Sequence, residues 1–72
     1  MNGFIFMTNT KRSKVELITA FNDVYPESNL IKCSCIGNQT KKKRYRIKYE
    51  LQSPLDPAII NLRLNDLKHR LQ

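Results

Sequence analysis

Seventy-two residues with 40% hydrophobic content fit one domain, read as 1–72, and leave no room for a second. The longest uninterrupted apolar run, Phe4 to Met7, is far below the roughly 18 residues that cross a bilayer, and with Lys11 and Arg12 after it rather than before, it does not read as a signal peptide. Thirteen Lys and Arg against six Asp and Glu give a formal charge of +7, which points away from cationic partners and towards polyanions.

Gly3 to Thr8 reads as a short strand, with Phe4 and Phe6 on one face and Ile5 and Met7 on the other, both faces at least partly covered. Residues 1–8 read as a short strand or a disordered lead; a start of translation at Met7 would make the first six residues an upstream remnant and the strand weak or absent. Ser13-Lys14-Val15-Glu16 fits a capping box and opens a helix over 13–25, whose apolar face is Leu17, Ile18, Phe21, Val24 and Tyr25. Pro26 ends it, because the residue before a proline is driven out of helical geometry.

A basic β-hairpin follows over 30–51. In its first arm, Ile31, Cys33 and Cys35 share one face and Leu30, Lys32, Ser34 and Ile36 the other; Gly37-Asn38-Gln39-Thr40 is turn chemistry. In its second arm, Tyr45, Ile47, Tyr49 and Leu51 alternate with Arg44, Arg46, Lys48 and Glu50, with Lys42 in phase with the cations. That alternation marks a half-buried strand and predicts that Lys32 and Ser34 lie beside Arg44, Arg46 and Lys48 in water. A one-residue slip would bury the arginines.

Asp56-Pro57 starts the last helix, 56–71, with Asp56 as cap and Pro57 at the first helical position, where its missing N–H is harmless. Ile60, Leu64, Leu67 and Leu71 form its stripe, a match to barely two heptads. The default reading of that stripe is core packing; the second is a homodimer contact. The order strand–helix–strand–strand–helix then predicts an α+β two-layer domain: a three-stranded, largely antiparallel sheet with both helices on one face. This layout, with Val24-Tyr25-Pro26-Glu27 closing the first helix, is similar to that of DinI-like regulators of recombinase filaments. Those proteins look strongly acidic in their last helix, whereas the helix from Asp56 has three cations and two acids, so no function is carried over.

Catalytic chemistry has little to work with. His69, the single histidine, reads as a surface residue in a final helical turn, and the six acids fall at caps or exposed helical positions with no pair placed for proton transfer. Cys33 and Cys35 supply one ligand pair where zinc sites usually need two, and they read as core thiols in a reducing compartment. The expectation is no enzyme, no metal and no cofactor.

The charge is what remains. Between Ser28 and Tyr49 there are seven cations, Lys32, Lys41, Lys42, Lys43, Arg44, Arg46 and Lys48, and no acid; outside that window cations and acids balance. Those seven are the candidate nucleic-acid-binding residues. Alternate strand positions about 6.5–7 Å apart set a pitch that can track a phosphate backbone. Tyr45 and Tyr49 point inward by the same alternation, so they are core and not stacking platforms. The expectation is a small, non-enzymatic, cytoplasmic nucleic-acid-binding protein, DNA or RNA left open. The alternative is a small regulator or inhibitor that docks an acidic protein partner, dimerising through Ile60, Leu64, Leu67 and Leu71.

Overall fold

The computed structural model of the chain describes residues 3–38 and 41–72; Met1 and Asn2 of the expected lead, and Gln39 and Thr40 of the expected turn, lie outside them. Five elements follow one another: β1 (Gly3–Thr10), α1 (Lys14–Val24), β2 (Ser28–Asn38), β3 (Lys43–Leu51) and α2 (Pro57–Arg70). The strands form one antiparallel sheet in the order β1-β3-β2. The fold is α+β, with both helices packed on one face of the sheet.

The basic strand β3 is central, paired with β1 on one side and β2 on the other, and its middle residues alternate between the two faces. Tyr45, Ile47 and Tyr49 are buried on the helix side, and Arg44, Arg46 and Lys48 are exposed on the other. The helices start where their local chemistry says. The backbone N–H of Glu16 donates to the Ser13 hydroxyl oxygen at 3.2 Å, and the Ser13 N–H donates back to the Glu16 carboxylate at 3.4 Å. Asp56 accepts from the Ala58 N–H at 2.9 Å, with Pro57 opening α2.

The core is organised around Tyr49. Its ring stacks on Phe4 at 5.4 Å and meets Phe21 edge-on at 5.4 Å and Tyr25 at 5.3 Å, so β1, β3 and α1 converge on one aromatic side chain. Leu67 and Leu71 close the cluster from α2, with Ile60 and Leu64 packed against its margin. The heptad-like stripe of α2 is thus part of this core, and the apolar side chains that α2 exposes are Ile59 and Leu62. Two polar links hold the layers in place. The Thr10 hydroxyl donates to the Leu71 carbonyl at 3.0 Å, and Arg63 donates to Glu27 at 2.8 Å, which holds the Glu27 carboxyl below its usual range.

The Tyr25 hydroxyl has no hydrogen-bond partner among the described residues, although the side chain is fully buried. Burial, reinforced by the neighbouring Tyr49, pushes its phenol well above the ordinary value. An unsatisfied buried hydroxyl is a cost, so Tyr25→Phe should leave the urea unfolding midpoint unchanged or raise it. A loss of more than about 1 kcal/mol would mean that the hydroxyl is bonded after all.

Three expectations are corrected. β2 does not keep one alternation: its register shifts between Leu30 and Lys32 and again between Cys35 and Gly37. The first bulge puts Leu30 opposite Tyr49, half-buried, and leaves Ile31 exposed, so Leu30 and Lys32 do not share a face. Cys33 is buried but Cys35 is exposed near the second bulge, its thiol 3.6 Å from the Gly37 carbonyl, so only one thiol belongs to the core. In β1, Phe6 and Phe4 face the helices, while Ile5 and Met7 are 62% and 48% exposed, so the outer face of that strand is open to solvent rather than packed.

Candidate nucleic-acid interface

The outer face of the sheet is a three-column surface fixed by register. The central column is Arg44, Arg46 and Lys48, ending at half-buried Glu50. On the β2 side Lys48 stands opposite Lys32, Arg46 opposite Ser34 and Arg44 opposite Gly37. On the β1 side the partners are Ile5, Met7 and Asn9. The two bulges bring Lys32 into phase with the column, which a regular β2 containing Leu30 in the core would not do.

Like charges placed directly opposite one another on a sheet repel, and Lys32 faces Lys48. No ion pair with a described residue relieves this, although Glu50 ends the column. Among the described residues the ion pairs are Arg12–Glu16 at 3.4 Å, Arg63–Glu27 at 2.8 Å and Arg70–Asp23 at 2.9 Å. Half of the chain's acids are therefore committed to cations outside the hairpin, and Arg44, Arg46, Lys48 and Lys32 enter no ion pair with a described residue. Their guanidinium and ammonium groups stand in water, each able to meet an external anion without first breaking an internal contact.

The seven sequence-predicted cations do not all share this face. Lys32, Arg44, Arg46 and Lys48 do. Lys43 opens β3 on the opposite phase, paired with Thr10 and Asn38, because the strand begins there and alternation turns it away from Arg44. Lys41 and Lys42 precede the strand and are exposed, so no strand pairing places them in the column. Lys42 instead lines a cleft of about 680 Å³ between the end of β1, the start of α1 and the end of α2, together with Thr10, Lys11, Arg12 and Lys68. Lys11 and Lys68 were not legible as site residues. One sits in a connection and the other in a helical last turn, and only the tertiary fold brings them to Lys42.

No aromatic ring lies on the outer face among the described residues: Tyr45 and Tyr49 are buried, and Phe4 and Phe6 point to the helix side. No group of three or more His, Cys, Asp and Glu gathers among the described residues, and burial pushes the Cys33 thiol up, away from the thiolate that a metal would need. No described helix is long and apolar enough to cross a membrane. Comparisons with protein-family models, with curated proteins and with solved structures return no match for this chain.

Proposed function

We propose that this chain is a small, non-enzymatic nucleic-acid-binding protein that holds phosphate backbone on the outer face of its sheet. The observation that carries the reading is the row Arg44, Arg46 and Lys48 with Lys32 beside it, exposed, mutually repelling and in no ion pair with a described residue. A phosphate backbone relieves that repulsion and releases its own condensed counterions on contact. Arginine adds a planar fork that matches two phosphate oxygens, which lysine does not. The reading concerns the phosphate contacts, which position a nucleic acid without reading its sequence. A cytoplasmic setting accompanies the reading, in keeping with the free thiols Cys33 and Cys35.

Titration against single- and double-stranded DNA and RNA at two salt concentrations tests it. Binding to at least one of them, weakened steeply by salt, supports the proposal; no binding to any at low salt contradicts it. A second reading, a regulator docking an acidic protein, is favoured by one feature: exposed Ile5 and Met7 beside the cations make the face partly apolar, as protein interfaces are. A stoichiometric protein partner retained from nuclease-treated lysate, with no nucleic-acid binding, would favour that reading.

A further inference from the structure

The cationic surface does not stop at the sheet. At the end of β1, a hollow lined by Met7, Asn9, Arg44 and Lys68 joins the outer face to the helix layer. Arg44 and Asn9 belong to the outer face by register, whereas Lys68 comes from the last turn of α2, on the other side of the sheet. The larger cleft shares Thr8, Asn9 and Lys68 with this hollow and carries on to Lys42 and Lys11. Arg12 also lines it, but its guanidinium is held by Glu16 at 3.4 Å and by the Gln72 carbonyl at 3.3 Å. Three lysines from three separate parts of the chain therefore converge on one concavity whose only described acid, Glu16, is already paired.

We infer that a single-stranded nucleic acid binds here, running along Lys48, Arg46 and Arg44 and then turning over the β1 edge into the cleft of Lys68, Lys42 and Lys11. The inference rests on the nucleic-acid reading of the sheet face and adds the target's strandedness and two residues outside the hairpin. Strandedness follows from scale. The domain is only two layers deep, one sheet and one layer of helices, so a ligand that passes from the outer face to the helix layer must turn sharply over a single strand edge. Duplex DNA has a persistence length of about 50 nm and resists such a turn, whereas an unpaired strand makes it freely. The edge itself is passable. β1 carries no charged residue from Gly3 to Thr10, and its outer side chains before the turn, Ile5 and Met7, are apolar surfaces for sugar and base edges. A second copy is a poorer occupant of that edge. Antiparallel pairing about Phe6 would bring two Lys68 ammonium groups together, since each lies 6.0 Å from its own Phe6 ring centroid.

The test compares the intact chain with Lys11→Gln/Lys68→Gln on an unstructured oligothymidylate and on a blunt duplex of equal length. Each lost phosphate contact should reduce the single-strand salt slope by about 0.7 and the affinity about fivefold at roughly 0.1 M salt, with duplex binding unchanged. Equal losses on both probes would overturn the turn over the edge while keeping the lysines as contacts. Unchanged binding of both probes, with Arg44→Gln/Arg46→Gln still weakening it, would overturn the inference and leave the sheet-face reading standing. If the arginine variant binds as the intact chain does, that reading fails and the inference fails with it.

Discussion

Arg44→Glu combined with Arg46→Glu abolishes oligonucleotide binding and leaves the fold intact. Both side chains are exposed, and neither forms an ion pair with a described residue. The change removes two phosphate contacts and sets two carboxylates against the same backbone. With about fivefold in affinity per contact near 0.1 M salt, and a similar penalty for each repulsion, the loss is roughly two to three orders of magnitude. Folding should tolerate the reversal, because position 46 lies between Ser34 and Met7 and position 44 between Gly37 and Asn9, with no acid opposite either. It also places opposite charge near Lys48 and Lys32, which repel one another in the native chain. Fluorescence anisotropy reads the binding and circular dichroism the fold. A folded double variant that binds as tightly as the native chain contradicts the proposal.

Tyr49→Ala should cost about 3–5 kcal/mol of folding stability and lower the urea unfolding midpoint accordingly. Tyr49 is 1% exposed and is the shared neighbour of Phe4, Phe21 and Tyr25, so truncation empties the point where the sheet meets α1. Large aromatic-to-alanine changes in cores cost about 3–5 kcal/mol. A 72-residue chain at roughly 0.05–0.15 kcal/mol per residue has only about 4–11 kcal/mol in total. The cost therefore takes up from about a quarter to all of the margin. A urea midpoint close to the native one would show that the aromatic cluster is not the centre of the core. Tyr49→Phe keeps the ring and should behave nearly as the native chain does.

Some of this was legible in the residues because single positions carried a unique physical demand. Ser13 with Glu16, and Asp56 with Pro57, mark helix starts that need no tertiary context. Tyr45, Ile47 and Tyr49 against Arg44, Arg46 and Lys48 fix which face of β3 is buried, since the reverse would put guanidiniums in the core. β2 was harder. Its residues lack a strict alternation, and two bulges restart the phase, so Leu30 joined the core and Ile31 left it. Bulges answer to the pairing of whole strands, which no local pattern announces. The cleft of Lys11, Lys42 and Lys68 was illegible for the same reason. Its residues are more than twenty-five positions apart in the chain, and each has a sufficient local explanation of its own.

The dependence of affinity on salt tests the central claim most directly, because it counts the phosphates that the sheet face neutralises. Four or five contacts predict a plot of log affinity against log salt with a slope of about −3 to −5, so that a fourfold rise in salt weakens binding about 60- to 1,000-fold. A slope near zero would mean that whatever binds this protein is not held by Lys32, Arg44, Arg46 and Lys48.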